Sequence, residues 1–339
     1  MGWLAYRRVT SGVRKTGRMT DTSRSSASPP TLAVIGAGSV GATIAYAALV
    51  RGTARHVVLH DVNAAKVEAE VLDLNHGLAF TPMGQVEGSD DIEVCRGARV
   101  VVVTAGAKQQ PGQSRMELAE STLNLTRTLM PRLVEVAPDA TYVMVTNPVD
   151  VVTTAALRVT GLPANQLFGS GTVLDSSRLR HAIATRLGVA VTSVHANVVG
   201  EHGDTEFPLW SSASVGGVPL LEWDALHGGL AEATREEIAE DVMRSAYRII
   251  AGKGATNYAV GLAVCRIVES VLRDEHAVLP VSTWLDDYRG ISDVSLSVPT
   301  VVDHRGAGER LLVPMTDEEI GLLRRSADSI RATARRFGF

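Results

Sequence analysis

Three side chains in this sequence have the types and neighbours that acid–base chemistry on a small carboxylic acid requires. His202 lies between glycines in Gly200-Glu-His-Gly203, directly after the apolar run 194–199, so we expect an accessible imidazole. Asp175 and Arg178 are three residues apart in a predicted helix and therefore share one face. A carboxylate can hold an imidazole in one tautomer, and a guanidinium can bind a carboxylate through two hydrogen bonds. A plain ion pair within the helix is the alternative for that segment.

A polar segment between two predicted elements offers a fourth functional group. Residues 108–115, Lys-Gln-Gln-Pro-Gly-Gln-Ser-Arg, follow a predicted strand and are interrupted by proline and glycine. Such a loop can close over a site and exclude water, and Arg115 beside it could polarise a carbonyl. Reduction of a 2-keto acid needs a fixed carboxylate, a polarised carbonyl, a proton and exclusion of water. A surface loop with an ordinary arginine is the alternative.

We expect no metal site. His202, Asp204 and Glu206 are close in sequence and have metal-ligating side chains, but no second histidine or cysteine follows at a matching spacing.

A glycine motif predicts a dinucleotide site. Gly36-x-Gly38-x-x-Gly41 follows the apolar run 31–35 and opens a predicted helix, which is the context that makes this motif informative. The first glycine allows a tight turn, the second lets the backbone approach a pyrophosphate, and the third permits close packing of helix on strand. The helix N-terminus, including Val40, then offers its N–H groups to the phosphates.

Polar residues after the other strands would complete this site. Asp61 follows the second predicted strand about twenty residues after the glycines, where a carboxylate binds a ribose 2′-hydroxyl and favours NAD over NADP. Lys66 either reaches the adenosine end or is a solvated helix charge. Ligands of open α/β sheets bind beyond the carboxyl ends of the strands. The nicotinamide half is therefore expected beside Gly106, Ala107, Thr146 and Asn147.

The elements that position these residues predict a fold of two domains. Apolar strands at 31–35, 56–60, 99–104 and 141–146 alternate with helices such as 64–74, which indicates a Rossmann-type, doubly wound parallel sheet. Later strand candidates at 209–215, 295–302 and 310–313 lie among long helices, the last opening on the capping box 316–319. We predict a flexible tail over 1–30, an NAD-binding α/β domain over 31–169 and a mixed α+β substrate domain over 170–339.

Composition narrows the class of protein. The 339 residues are 45% hydrophobic and 21% charged with a formal net charge of −4, so no basic face for nucleic acid is implied. Apolar runs such as 100–103 are too short to span a membrane. Cys95 and Cys265 lie far apart and form no recognisable disulfide or zinc pattern, which favours a reducing, cytoplasmic location.

The first thirty residues differ from the rest. They are rich in arginine and serine, with Asp21 as their single acid. This composition is typical of a solvated tail and vaguely resembles a transit peptide. A start at Met19 is an alternative.

The order of these segments resembles the L-lactate/L-malate dehydrogenase family, and within it the bacterial L-lactate dehydrogenases. The resemblance covers the chain from Thr31 to the C-terminal helix. Its most specific segments are Gly200-Glu-His-Gly-Asp204 and Leu174-Asp-Ser-Ser-Arg178. The other matching segments are 36–41, 73–76, 105–115, 147–150, 171–173 and 253–256.

The resemblance implies a role for each candidate residue. His202 would be the acid–base group, Asp175 its orienting partner, Arg178 the carboxylate anchor and Arg115 the polarising arginine. Asn147 would hydrogen-bond near the carbonyl, and Thr256 would line the substrate side. The family further implies NAD as cofactor, interconversion of pyruvate and L-lactate, and a homotetramer.

One loop position separates lactate from malate as substrate. The family carries arginine there in its malate dehydrogenases, whereas this chain has Gln109. The second carboxylate of oxaloacetate would lack a cation, and an unpaired buried charge costs several kcal/mol. Lys108 is adjacent but is expected to point away. We therefore expect pyruvate, with malate dehydrogenase as the alternative.

Two further cationic side chains face away from the chemistry. Arg180 lies two residues after Arg178, which turns it about 200° around the helix, to the opposite side. His195 lies seven residues before His202, and an odd number of residues along an extended chain places the two side chains on opposite faces. In bacterial lactate dehydrogenases the matching positions bind fructose 1,6-bisphosphate at a subunit interface, so we expect an allosteric anion site. A solvated arginine and a structural histidine are the alternative.

Overall fold

The computed structural model describes residues 31–106 and 115–339, with the backbone alone for 115–118. The expected tail over 1–30 and the site candidates Ala107 and Gln109 lie outside the described residues, as does the side chain of Arg115.

The described residues form helices and strands in the following order. The helices are α1 (Ser39–Arg51), α2 (Ala64–Gly77), α3 (Arg115–Val136), α4 (Val149–Thr160), α5 (Val173–Leu187), α6 (Leu220–His227), α7 (Glu232–Lys253), α8 (Tyr258–Leu272) and α9 (Asp317–Arg336). The strands are β1 (Thr31–Ile35), β2 (His56–His60), β3 (Gln85–Ser89), β4 (Val100–Val103), β5 (Thr141–Met144), β6 (Leu167–Gly169), β7 (Val194–His195), β8 (Val198–Val199), β9 (Phe207–Pro208), β10 (Ser214–Val215), β11 (Val218–Pro219), β12 (Ala277–Leu285), β13 (Val294–Asp303) and β14 (Gly306–Arg310).

A nine-stranded sheet organises the chain, in the order β14-β13-β12-β6-β5-β4-β1-β2-β3. The strands β1 to β6 pair in parallel, which confirms the doubly wound sheet. The strands β12 to β14 come from the C-terminal half of the chain and extend this sheet as antiparallel neighbours of β6. The strand order reverses beside β1, so the carboxyl ends of β1 and β4 flank the crevice where such folds bind ligands.

Helices cover both faces of the sheet, which explains why its central strands are apolar throughout. On one face, Val34 of β1 belongs to a core with residues of α1 and α8. On the other, Ala33 and Ile35 belong to a core with residues of α3, α4 and α9. A strand buried on both faces lacks the alternation of a half-exposed strand. A third core joins α5 and α7 to β7 and β10, outside the large sheet.

The structure confirms several sequence predictions about single elements. The strands β1 and β2 have the predicted bounds, and the predicted strand 295–302 lies within β13. The last helix begins with the predicted capping box, since Thr316 and Glu319 bond each other's backbone N–H groups. Several strands were not predicted, among them β3, β6 and the nine-residue β12. The strand β3 lies at the sheet edge with alternating exposure, and β6 has only three residues.

Two strand predictions were wrong. The predicted strand 209–215 is broken because the chain turns at Ser211, whose N–H and hydroxyl groups both bind the Glu319 carboxylate. Only its last two residues form a strand, β10. The predicted strand 310–313 lies too late, since β14 ends at Arg310. The hairpin turn that precedes β14 sets this register by pairing Asp303 with Gly306.

Within residues 31–106 and 115–339, no helix combines the length and apolar character needed to cross a bilayer.

Candidate active site

The carboxylate of Asp175 holds two other predicted site residues, His202 and Arg178. Asp175 lies in the first turn of α5 and is 1% exposed. Its Oδ2 is 2.6 Å from His202 Nδ1, and its Oδ1 accepts a hydrogen bond of 2.6 Å from Arg178 Nη1. The ion pair expected within the helix is therefore present, but the same carboxylate also binds the imidazole. The structure brings these three residues together as the sequence predicted.

The backbone around His202 is anchored to the large sheet. Gly200 follows β8 and exchanges two backbone hydrogen bonds of 3.0 Å with Ser297 of β13. Its φ of +94° suits glycine, and an added Cβ would lie 2.6 Å from Ser326 Oγ. Two residues later, the His202 N–H donates to Asp150 Oδ2 at 2.7 Å. The glycine thus turns the chain out of the strand and presents the histidine next to α5.

The charges around His202 favour its protonated form. Burial by itself lowers the pKa of His202, but the adjacent Asp175 carboxylate outweighs this effect, with smaller contributions from Glu206 and Asp150, and the pKa rises to about 9. Burial opposes ionisation of Asp175 as well, yet the attraction of His202 and Arg178 keeps the pKa of Asp175 below its usual value. At neutral pH the site therefore holds an imidazolium beside a carboxylate.

Glu206 is a second acidic group at this site. Its carboxyl Oε2 lies 4.0 Å from His202 Nδ1, and its side chain is 6% exposed. Burial, and next the nearby charge of Asp175, raise the pKa of Glu206 to about 8. Potential ligand atoms of Asp175, His202 and Glu206 all lie within 4.8 Å of one another. Both Asp175 oxygens are already bonded, one to His202 and one to Arg178.

The glycine motif forms the turn that was predicted for it. Gly36 has a φ of +99°, and an added Cβ would lie 2.9 Å from the Ala105 nitrogen. A Cβ on Gly41 would lie 1.8 Å from the Gly36 carbonyl oxygen, whereas one on Gly38 would meet nothing within 4 Å. Gly38 is also the N-cap of α1 and contributes no side-chain cap. Two glycines therefore serve close packing, and the third leaves the helix N-terminus open to a phosphate, which fits a dinucleotide.

Asp61 contacts this turn, and Lys66 follows it in α2. The Asp61 carboxylate accepts hydrogen bonds from the Ala37 N–H at 2.8 Å and the Asn63 N–H at 3.0 Å. It therefore touches the glycine loop, where the ribose of a dinucleotide is expected. Lys66 lies in the first turn of α2 and is half-buried, and its backbone N–H is capped by Asn63.

The ends of β4 and β5 are held together at the predicted nicotinamide side. Thr146 Oγ1 donates to the Ala105 carbonyl at 2.8 Å, and an added Cβ on Gly106 would lie 2.5 Å from the Thr146 methyl group. Asn147 is exposed directly after this contact, and α4 begins two residues later. These residues therefore line the sheet edge where the strand order reverses. Thr256 is half-buried in the connection between α7 and α8.

Arg180 bonds the chain segment that directly follows His195. The Arg180 guanidinium donates to the Ala196 carbonyl at 2.8 Å and to Asn197 Oδ1 at 3.0 Å. His195 precedes Ala196 in β7 and is exposed. Burial lowers the pKa of Arg180. Among the described residues, no carboxylate pairs with Arg180.

Asp150 and Ser282 were not predicted as site residues, and Glu206 was considered in the sequence only as a metal ligand. Asp150 is 1% exposed in the first turn of α4 and accepts from Ser282 Oγ of β12 at 2.5 Å as well as from His202. A charged residue in the otherwise apolar run Val149–Val152 is the signal that could have identified Asp150. Ser282 carries no comparable signal, because nothing local shows which face of β12 meets α4.

Comparisons with known proteins agree with this arrangement. The family described as lactate/malate dehydrogenase, NAD binding domain, matches residues 31–169, and the lactate/malate dehydrogenase alpha/beta C-terminal domain matches residues 172–336. An L-lactate dehydrogenase of Bifidobacterium animalis subsp. lactis is 52% identical, covering 92% of this chain and 98% of its own. One from Nitratidesulfovibrio vulgaris is 47% identical over 87% of this chain and 96% of its own.

A solved structure shares the fold. The minor L-lactate dehydrogenase of Enterococcus mundtii superposes with a TM-score of 0.88 at 37% identity, covering 91% of this chain and 98% of the other. The fold and the site define an NAD-dependent oxidoreductase, as the sequence predicted. The chain belongs to the lactate/malate dehydrogenase family.

The two kinds of glycine predict different effects of the same substitution. Gly38→Ala should leave the melting temperature nearly unchanged but weaken NADH binding at least tenfold, because the new methyl group occupies space open to the cofactor. Gly41→Ala should lower stability by about 1–3 kcal/mol, since the methyl group overlaps the Gly36 carbonyl. Thermal unfolding and NADH fluorescence titration measure both. Equal NADH affinity in Gly38→Ala and the wild type would contradict the assigned cofactor position.

Proposed function

We propose that this enzyme reduces pyruvate to L-lactate and catalyses the reverse oxidation. The observation that carries the proposal is the sharing of one buried carboxylate, Asp175, between His202 and Arg178. A proton donor is thereby held next to a carboxylate-binding cation. The L-lactate dehydrogenases of Bifidobacterium animalis and Nitratidesulfovibrio vulgaris, at 52% and 47% identity, support pyruvate and lactate as the substrate pair.

Each residue of the site has a separate task in this reaction. Bound NADH supplies the hydride. His202 uses Nδ1 to bind Asp175, so its Nε2 carries the proton that passes to the substrate oxygen. A guanidinium has five N–H donors. Arg178 donates one of them to Asp175, which leaves others for the substrate carboxylate. We assign Arg115 to polarisation of the carbonyl, and Asn147 and Thr256 to the substrate side.

The pH dependence should follow the protonation of His202. Pyruvate reduction needs the imidazolium, which is present below a pKa of about 9, so kcat/KM for pyruvate should fall as pH rises through that value. Lactate oxidation needs the neutral imidazole and should rise over the same interval. Asp175→Asn removes the anion and should lower the inflection by about one to three pH units, with a loss of about 10²–10⁴-fold in kcat/KM.

Steady-state rates between pH 6 and pH 10 measure this effect. Asp328→Asn is the matched control, since that carboxylate is 74% exposed on α9 and pairs with Arg331. An inflection that stays in place in Asp175→Asn would contradict the assigned proton donor.

Substrate choice rests on the charge balance of the closed site. Arg178 pairs with the first carboxylate of the substrate, and His202 pairs with Asp175. A second carboxylate would need a further cation, and Gln109 offers none. Pyruvate is therefore favoured over oxaloacetate. A malate dehydrogenase is the second candidate, because the family includes both activities.

Substitution of Gln109 distinguishes the two candidates. Gln109→Arg should raise kcat/KM for oxaloacetate relative to pyruvate by about tenfold to a thousandfold, since it supplies the missing cation. NADH oxidation with each substrate measures the ratio, and Gln109→Lys tests whether charge alone suffices. A wild-type enzyme that reduces oxaloacetate as fast as pyruvate would be a malate dehydrogenase.

We further propose that fructose 1,6-bisphosphate binds at Arg180 and His195 and activates the enzyme. Arg180 donates only to neutral oxygens, so its positive charge is not compensated by a described carboxylate. His195 adds a second group that can become cationic, one residue from the Ala196 carbonyl to which Arg180 binds. A partly buried, uncompensated cation favours anion binding.

A homotetramer is part of this proposal. Exposed apolar side chains on α7 and α8, among them Ile250, Tyr258 and Leu262, offer surface for a second copy. If the bisphosphate bridges subunits, linkage requires that it also favour assembly. For location, we propose the cytoplasm, because Cys95 and Cys265 are both buried free thiols.

Removal of the Arg180 charge tests the effector site. In the wild type, the bisphosphate should lower the pyruvate concentration for half-maximal rate near pH 7 and should increase the tetramer fraction in sedimentation velocity. Arg180→Gln should abolish both responses, while kcat measured without the bisphosphate should stay within about twofold of the wild-type value. Arg186→Gln, an exposed arginine on the same helix, is the control. Saturation curves that coincide with and without the bisphosphate in the wild type would refute activation.

A further inference from the structure

A buried carboxylate at the start of α4 contacts the backbone of the proton-donating loop. Asp150 is 1% exposed and lies between the buried residues Val149 and Val151. Burying a carboxylate among apolar groups costs several kcal/mol unless its oxygens are bonded. Its Oδ2 accepts from the His202 N–H at 2.7 Å, and its Oδ1 accepts from Ser282 Oγ at 2.5 Å. Both oxygens thus have partners, each from a distant part of the chain.

These two hydrogen bonds connect the His202 loop to the central sheet. Ser282 lies on β12, is fully buried, and pairs with Gly169 of β6. Asp150 therefore joins three segments: the N-terminus of α4, the middle of β12 and the loop after β8. The position of the His202 main chain relative to α5 is set through this junction, in addition to the bond between the ring and Asp175.

The hydrogen bonds alone do not explain why the residue is an acid. An asparagine could accept from the His202 N–H through its carbonyl and donate to Ser282 Oγ through its amide. It would do so without the desolvation cost of a charge. The negative charge must therefore be compensated by a neighbour, and the cation at hand is the His202 imidazolium.

The electrostatics support this pairing. Burial, with a smaller contribution from the negative charge of Glu201, raises the pKa of Asp150 to about 6. The hydrogen bonds from Ser282 and the His202 N–H and the positive charge of His202 act in the opposite direction. Asp150 is therefore ionised at neutral pH. The groups that act on His202 are Asp175 from α5, with Glu206 from its own loop and Asp150 from α4. Asp175 is the ring's hydrogen-bond partner, and Asp150 adds negative charge from the main-chain side.

We propose that Asp150 is a positioning residue for the proton donor, one that fixes the His202 main chain and stabilises the imidazolium with its charge. The inference rests on the proposed reduction of pyruvate for its kinetic consequence. Its structural part, the coupling of two ionisable groups, stands without any substrate.

Asp150→Asn removes the charge and keeps the shape. The titration of His202, followed by NMR of ¹³Cε1-labelled histidine without substrate, should shift down by about one pH unit. The signal is assigned by its loss in His202→Asn. The kcat/KM for pyruvate should then fall about threefold at pH 8.5 and remain nearly unchanged at pH 6.5, because a unit shift depletes the imidazolium only near its own midpoint. KM should change less than kcat.

Ser282→Ala is the matched variant, because it removes one hydrogen bond to Asp150 and keeps the charge. The His202 midpoint should not move down in Ser282→Ala. A downward shift of equal size in both variants would mean that the shift comes from altered packing and not from the Asp150 charge, which would overturn the proposal. An unchanged His202 midpoint in Asp150→Asn would overturn it as well. If the shift occurs but pyruvate is not reduced, the coupling stands and the proposed function fails.

The wild type offers a test that needs no folded variant. Ionisation of Asp150 near pH 6 should produce a second, smaller inflection in the His202 NMR signal between pH 5 and pH 7. That inflection should disappear in Asp150→Asn where the variant folds. A wild-type His202 signal that shows no inflection between pH 5 and pH 7 would overturn the coupling.

Discussion

The buried carboxylate of Asp175 is the group on which the rest of the site depends. It is 1% exposed and bonds His202 and Arg178 through separate oxygens. A carboxylate in this position would be costly without both cations, and the imidazolium would be costly without the carboxylate. Each partner therefore stabilises the charged form of the other. His202 and Asp175 are therefore charged before a substrate arrives, so the proposed reaction requires less reorganisation.

The fold positions these groups on elements that are held in place by core packing and by backbone hydrogen bonds. Asp175 and Arg178 share one turn of α5, a helix packed against β7 and α7 in the third core. His202 follows a glycine that is tied by two backbone bonds to β13. Because β12 and β13 belong to the same sheet as β1, one continuous sheet carries both the glycine turn and the anchor of the His202 loop. The glycine turn and the His202 loop are therefore both attached to the same sheet.

The glycine turn at the cofactor site is also held by side chains from neighbouring strands. Thr104 Oγ1 donates to the carbonyls of Ile35 and Gly36 at 2.9 and 3.0 Å, and Asp61 binds the Ala37 N–H. Side chains from the ends of β2 and β4 thus hold the loop after β1. The loop is shaped in advance, and the space above Gly38 stays open.

The sequence by itself determined the features that depend on local patterns. The glycine spacing, the four apolar strands of the doubly wound sheet, the capping box of α9 and the shared helix face of Asp175 and Arg178 all follow from short-range geometry. Tertiary structure decided the rest. The short strands β3 and β6 form only because neighbouring strands pair with them, and the predicted strand 209–215 is broken by Glu319, more than a hundred residues away. The joining of His202 to Asp150 and Ser282 likewise links residues that lie far apart in the chain. Periodicity shows which face of an element is buried, but not which distant polar group contacts that face. The environment of His202 is set by such long-range contacts.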